Sequence, residues 1–274
     1  MAQWQQYQVE QTLVKKIISR SNKRFRAARR WIEGNIEKVV HNGPFKGMKY
    51  VDDAVGSSFI PKVMGTYELE LIPAINRLLG IQFDTIIDVG AAEGYYSVGF
   101  ALQQPQANHI AFEIEEKGQT LLKEMAKLNG LEGKINVKSE CDTQSLNEAI
   151  PTDGSSLLIM DVEGAEEFLL DPQAIVQLMN CHVLVELHDR MVNGIGEAIH
   201  DRFCSSHDIE QIESTYRTKD DVPADLPDLP WWITKGLIGE KLIVERDCHM
   251  RWYLMIPNKS SSNFRQFQPP TTST

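Results

Sequence analysis

From residue 84 to residue 205 the sequence alternates short apolar runs with longer amphipathic ones, and this alternation constrains the fold more than any other feature. The apolar runs fall at 84–89 (DTIIDV), His109–Glu113, Ile135–Lys138, Ser156–Asp161 and His182–His188, and read as strands. Residues 94–104, 115–129, 145–149, 164–180 and 193–205 read as helices between them. Short strands with so few polar residues are buried on both faces, as in a parallel sheet covered by helices. Ligands of such sheets bind in the crevice beyond the carboxyl ends of the strands. Functional residues are therefore expected where these runs end.

The flanks read differently. Residues 10–40 have the spacing of one or two amphipathic helices: Leu13, Ile17 and Ile18 begin an apolar stripe that Phe25, Ala28, Trp31, Ile32, Ile36 and Val39 continue. Gly43, Pro44 and Gly47 break it. A further helix is expected over 67–79, with Leu71, Ile75, Leu78 and Leu79 inward and Gly80 at its C-cap. Residues 220–230 (DDVPADLPDLP) read as an acidic, proline-rich loop or lid. Two strands near Glu240–Glu245 and Arg251–Ile256 are expected to form an antiparallel edge. The expected division is an N-terminal helical arm or cap over 1–60, a sheet domain over 61–257, and a disordered tail over 258–274.

With 42% hydrophobic and 24% charged residues in 274, a core of useful size is available. No run approaches the roughly 20 apolar residues that span a bilayer, which argues against a membrane partner. The start, MAQWQQYQVEQ, has no apolar h-region, so the cytoplasm is the expected location. Cys141, Cys181, Cys204 and Cys248 form no CxxC pair and read as free thiols. The net charge of -10 argues against a broad nucleic-acid surface. Nine basic residues between Lys15 and Lys38, against Glu33 and Glu37, make that segment +7 and leave -17 elsewhere. Such an arm meets something acidic, either the protein's own body or a macromolecular acceptor.

In IIDVGAAEGYYSV (86–98) the first strand ends at Asp88, and Gly90, Ala91 and Ala92 are small enough for close backbone approach to a ligand. Gly94 then opens a helix, before Tyr95, whose free N–H groups favour a carboxylate or other anion. A dinucleotide loop reads GxGxxG; here three residues separate the glycines, and Glu93 among them would repel a pyrophosphate. S-adenosylmethionine, with its sulfonium and amino group, suits the loop better. The second strand ends at Glu113, 25 residues after Asp88, where a carboxylate can accept both ribose hydroxyls. Asp142, beside Cys141 after the third strand, is a candidate for the adenine amino group. Thr66, Tyr67 and Glu68 either close over the methionine end of the cofactor or form a helix-capping turn.

Five stretches together, GTYELEL (65–71), IIDVGAAEGYYSV (86–98), AFE (111–113), LLIMDVEGAEEFLL (157–170) and VLVELHD (183–189), make residues 60–200 resemble the FkbM-type class I S-adenosylmethionine-dependent methyltransferases. DVEGAE is the most specific of these elements; Ala92-Glu93 departs from the family's usual DVGANxGYYS. The resemblance implies a doubly wound, Rossmann-like α/β sheet of seven strands with the last antiparallel. It also implies methyl transfer, usually to a hydroxyl of a small molecule or sugar, without naming the acceptor. The other readings are a cofactor-binding module without catalysis and a methyltransferase acting on a macromolecule. The sequence does not fix the oligomeric state.

An alcohol acceptor must lose its proton, to a general base or with help from a metal. DVEGAE offers Asp161, Glu163 and Glu166, and VELHD offers Glu186, His188 and Asp189. Glu186 and His188, two apart in a strand, share a face. His188 is the expected base with Glu186 or Asp161 as its partner; no metal is required in that reading. The competing one is a divalent-metal site of Asp161, Glu186 and His188. Glu163 and Glu166 are expected on one side of a helix starting near Gly164, where the helix dipole alone would favour them. Trp231 and Trp232 would line an acceptor pocket or pack within the lid.

Overall fold

The computed structural model describes residues 27–55, 58–223, 243 and 249–258. The chain divides into two compact units, Met1–Glu70 with Glu213–Met250, and Leu71–Ile212 with Arg251–Thr274.

In the first unit residues 27–35 are helical (α1), and a short helix α2 runs over Phe59–Met64. Ala28 and Ile32 are buried with Ile60, Met64 and Ile243, and Trp31 and Ile36 pack against them. The apolar stripe is thus real at its centre, but the helix does not reach Val39, which pairs with Lys49 in an isolated antiparallel bridge. Asn35 stops the helix locally: its side-chain amide donates to the Trp31 carbonyl at 2.8 Å, competing with the backbone ladder. The rest of the stripe (Leu13, Ile17, Ile18, Phe25), the basic residues before Ala27, Trp231 and Trp232, and the tail beyond Asn258 lie outside the described residues.

The second unit is built on seven strands: β1 (Thr85–Val89), β2 (Asn108–Phe112), β3 (Ile135–Lys138), β4 (Ser156–Met160), β5 (His182–Leu187), β6 (His207–Glu213) and β7 (Arg251–Pro257). Their order across the sheet is β3-β2-β1-β4-β5-β7-β6. β1 pairs in parallel with β2 and β4, β2 with β3, and β4 with β5, whereas β7 runs antiparallel to β5. Helices α3 (Ile72–Leu79), α4 (Tyr95–Gln103), α5 (Glu116–Leu128), α6 (Thr143–Ala149), α7 (Glu166–Leu169) and α8 (Ile195–Phe203) connect the strands. This is a doubly wound, Rossmann-like arrangement of seven strands, as expected. Every residue of β1, β4 and β5 is buried, so the apolar runs are doubly covered. On one face Ile87, Val89, Leu158, Val183 and Val185 meet Leu146, Leu169, Ile195, Ile199 and Phe203 from the helices. Each such side chain contributes about 1.5–3 kcal/mol on leaving water.

Three expectations are corrected. The helix expected over 164–180 is broken into α7 and a 3-10 segment, Val176–Asn180. Pro172 is the reason, since it lacks an N–H and disfavours helical backbone at the residue before it. Asp171 turns the chain there, accepting from the Gln173 amide at 2.9 Å. The described neighbours of β7 are β5 and β6, while the strand expected over 240–245 lies outside the described residues except for Ile243, which is helical. The edge strand β6 (HDIEQIE) has only two apolar residues, Ile209 and Ile212, which hid it. Finally, α3 starts at Ile72, after a 3-10 turn over Leu69–Leu71, and keeps Gly80 at its C-cap. No helix among the described residues is long and apolar enough to cross a membrane.

Candidate active site

The strand order reverses between β1 and β4, which opens a crevice beyond their carboxyl ends. Register aligns Val89 with Met160 and Met160 with Val185, so Gly90, Asp161 and Glu186 follow side by side. Gly90 has φ +83°, and a Cβ there would sit 1.8 Å from the Asp161 carbonyl oxygen; only glycine lets these two strand ends touch. Gly94, φ +94°, caps α4. A Cβ on it would lie 2.9 Å from Leu122 Cγ.

The glycine loop folds onto the end of β2. The amides of Gly90 and Ala91 both donate to the Phe112 carbonyl at 3.0 Å, and the Ala92 amide donates to Glu113 Oε2 at 2.7 Å. Those three amides are therefore engaged within the protein. Ala91 and Tyr95 are buried, the Tyr95 ring standing edge-on to Tyr96 at 5.2 Å. Glu93 is fully buried too, so its carboxylate is not presented to the crevice as the charge argument requires. Asp88 Oδ2 accepts from Ser97 Oγ at 2.5 Å, tying the end of β1 to the first turn of α4. Burial pushes the Asp88 carboxyl up to about 7; the Ser97 hydrogen bonds pull it down, and the charges of Asp161 and Glu113 push it further up.

At the tip of β2, Glu113 Oε1 accepts from the Glu115 amide and Oε2 from the Ala92 amide, each at 2.7 Å. A carboxylate oxygen has two lone pairs, so each oxygen can accept one more hydrogen. Gly118 gives this side chain its room, since a Cβ there would lie 2.7 Å from Glu113 Cγ. Ile114, the next residue, is 71% exposed although large and apolar. Asp142 is engaged elsewhere: its Oδ1 accepts from the Ser145 amide at 2.7 Å and Ser145 Oγ accepts from its amide at 2.9 Å, a capping box on α6. These hydrogen bonds hold the Asp142 carboxyl below its ordinary range. Beside it, burial pushes the Cys141 thiol up to about 12. Thr66, Tyr67 and Glu68 belong to the first unit and are buried there. The Thr66 and Tyr67 amides donate to the Pro61 carbonyl at 2.8 and 3.1 Å, so this is a capping turn at the end of α2, not at the start of α3.

Beyond β4 and β5 a buried imidazole stands among carboxylates. His188, 6% exposed, meets Glu166 Oε1 through Nδ1 at 2.5 Å. Its Nε2 lies 3.5 Å from Asp161 Oδ1, 3.5 Å from Glu163 Oε2 and 3.6 Å from Glu186 Oε1. The partner that orients the ring is thus Glu166, in place of the expected Glu186 or Asp161. Glu163 and Glu166 do not share a helix face: Glu163 has φ +52° and precedes α7, with its side chain 70% exposed, whereas Glu166 is fully buried. They reach opposite nitrogens of the same ring. Burial pushes the His188 pKa down, but the Glu166 hydrogen bond and the charges of Glu166, Glu186 and Asp161 outweigh it and raise it to about 9. Glu186 is itself held from behind, its Oε2 accepting from Trp252 Nε1 at 3.1 Å. Asp189 turns away to a two-point bond with Arg251 at 2.6 and 2.7 Å, which holds its carboxyl below the usual range.

Residue-type reasoning over DVEGAE and VELHD finds the cluster but misses Glu166 as the orienting partner, and misses Trp252 and Arg251 altogether. The last two come from β7, 66 and 62 residues from their partners, and no local pattern marks them. His207 bonds Ser206 Oγ and the Cys181 carbonyl at 2.8 and 3.0 Å.

No family model and no curated protein matches this sequence. Among solved structures, the O-methyltransferase TomG from Streptomyces achromogenes, in complex with S-adenosylmethionine, is 13% identical, with 68% of this chain and 78% of that one covered and a TM-score of 0.42. A precorrin-6y C5,15-methyltransferase from Geobacter metallireducens is 10% identical, covering 68% and 87%, with a TM-score of 0.45. TrmN from Thermus thermophilus is 13% identical, with 72% of this chain and 49% of that one covered and a TM-score of 0.41.

Proposed function

We propose that this chain is an FkbM-type, S-adenosylmethionine-dependent O-methyltransferase acting on a hydroxyl of a small molecule or sugar in a reducing, cytoplasmic setting. The observation that carries the reading is Glu113: a carboxylate at the tip of β2, pinned by two amides at 2.7 Å, with acceptor capacity left on each oxygen for a pair of vicinal hydroxyls. Ile114 beside it offers an exposed apolar surface for a purine. Asp88, Gly90, Ala91, Gly94 and Tyr95 shape the loop under the cofactor, and Asp142, at the N-cap of α6 after β3, is the candidate for the adenine amino group.

When bound, S-adenosylmethionine supplies an electrophilic methyl group, whose carbon–sulfur bond breaks with its electron pair kept on sulfur as the acceptor oxygen bonds the carbon. The hydroxyl proton leaves through the cluster beyond β4 and β5, where Asp161 and Glu186 can receive it directly and His188 can receive it once its own proton, held up to about pH 9, has left. Glu166 fixes the imidazole, leaving Nε2 turned toward the acceptor side. Asp161, Glu163, Glu166 and Glu186 face the one His188 cation and leave this edge net negative, which disfavours a phosphate-rich acceptor and favours a neutral or cationic one.

Calorimetry tests the cofactor half. The wild-type chain is expected to bind S-adenosylmethionine, and Glu113→Ala to weaken it by about 2 kcal/mol or more, the loss of two hydrogen bonds to a charged group. Equal affinity in the variant overturns the ribose assignment.

A further inference from the structure

We infer that Asp161 Oδ1, Glu186 Oε1 and His188 Nε2 form a binding site for one divalent cation of the manganese type at the carboxyl edge of β4 and β5. The inference rests on the proposed methyltransferase reading for its use, and on geometry alone for its existence.

The three ligand atoms lie within 4.8 Å of one another. Nε2 is 3.5 Å from Asp161 Oδ1 and 3.6 Å from Glu186 Oε1, longer than good hydrogen bonds. A six-coordinate ion with bonds of about 2.1–2.3 Å holds cis ligands about 3.0–3.3 Å apart and trans ligands about 4.2–4.6 Å apart. The present spacings contract to these with small side-chain movements. The ring and the carboxylates thus surround a centre instead of bonding one another.

The surrounding contacts are those that ligands need. A metal-binding histidine donates its second N–H to a carboxylate, which fixes tautomer and ring orientation. Glu166 does this at 2.5 Å from Nδ1, so an ion that displaces the Nε2 proton meets that lone pair beside the two carboxylates. Glu186 is held through its other oxygen by Trp252, and its Oε1 lies 3.6 Å from Nε2. Glu166 is fully buried, and its Oε2 has no hydrogen-bond partner among the described residues, so negative charge is enclosed beside the ring in excess of its donors. Glu163 Oε2, 3.5 Å from Nε2 on an exposed side chain, can join as a fourth ligand or give way to a substrate oxygen. One imidazole with carboxylates suits manganese better than magnesium or calcium, which favour all-oxygen sites, and better than zinc, which favours four tight N or S ligands. In this role His188 is a ligand, and the ion, not the imidazole, activates an acceptor hydroxyl placed on it.

The test titrates Mn2+ into the chelator-treated full chain and follows free Mn2+ by electron paramagnetic resonance. One ion per chain is expected, with affinity at least about tenfold weaker in His188→Ala and in Asp161→Asn and about tenfold weaker in Glu166→Gln. Electron spin-echo modulation on the loaded wild-type chain needs no variant and is expected to show one directly coupled imidazole nitrogen. No saturable binding, binding unchanged in His188→Ala, or no nitrogen coupling overturns the site. Calorimetry with S-adenosylmethionine on the same samples separates the two readings: binding of the ion without the cofactor refutes the methyltransferase but not the cation site, and the reverse refutes only the cation site.

Discussion

Replacing Glu166 by Gln removes the charge that most directly controls His188. In the folded chain burial works against the imidazolium, yet the Glu166 hydrogen bond and the charges of Glu166, Glu186 and Asp161 raise its pKa from 6.5 to about 9. At about 1.4 kcal/mol per tenfold change in proton affinity, that rise corresponds to about 3 kcal/mol of linkage. Because the folded pKa lies above the unfolded one, this stability is fully present below pH 6.5 and is lost as pH rises through about 9. Glu166→Gln keeps the shape and a hydrogen-bonding oxygen but removes the charge, so His188 is expected to bind its proton at least about tenfold less tightly. The stability lost between these pH values should shrink by at least about two fifths. Asp88, with its carboxyl pushed up to about 7, titrates over a lower range in both proteins and cancels in the comparison. Imidazole NMR titration in the presence of a chelator reads the proton affinity, and urea unfolding across the range reads the stability. A wild-type His188 that titrates at or below 6.5, or the same pKa in both proteins, refutes the reasoning.

Two further substitutions test the framework. Gly90→Ala places a Cβ 1.8 Å from the Asp161 carbonyl at a φ of +83°, so urea unfolding should show a loss of at least about 3 kcal/mol; a loss under about 1 kcal/mol would mean the two strand ends do not touch as described. Trp252→Phe removes the indole donor to the buried Glu186 carboxylate and should cost about 1–3 kcal/mol in the same assay, whereas a change within about 0.5 kcal/mol would show that the bond is not formed.

The parts of the fold that rest on local pattern were legible. Five apolar runs became β1 to β5 within a residue or two, because a doubly buried strand needs a continuous apolar stretch. The parts that depend on distant partners were not. β6 is an edge strand, half solvated and rich in charge, and its sequence resembles a surface turn more than a strand. Pro172 was visible inside the run that reads as one helix, and its effect on α7 could have been inferred. At the site, the strand-end rule located Glu113, Asp161, Glu186 and His188, since sheet topology brings strand ends together whatever their side chains. Which carboxylate touches the imidazole depends on side-chain direction. The turn at Glu163 and Gly164, with φ of +52° and +107°, sends Glu163 outward and Glu166 inward, and the i, i+3 spacing could not show that. Asp142 reads from sequence as a candidate ligand, and the cap it forms was missed although Ser145 three residues later is its signal.

The central claim is that the crevice beyond β1, β2 and β4 binds S-adenosylmethionine with its ribose on Glu113 and its sulfur facing the His188 cluster. A crystal structure with S-adenosylhomocysteine tests it most directly. The account predicts both ribose hydroxyls within about 3 Å of Glu113 Oε1 and Oε2, the purine against Ile114, and the sulfur on the side of Asp161 and His188. A nucleoside bound away from Glu113, or a crevice that takes no ligand at saturating concentration, would contradict it.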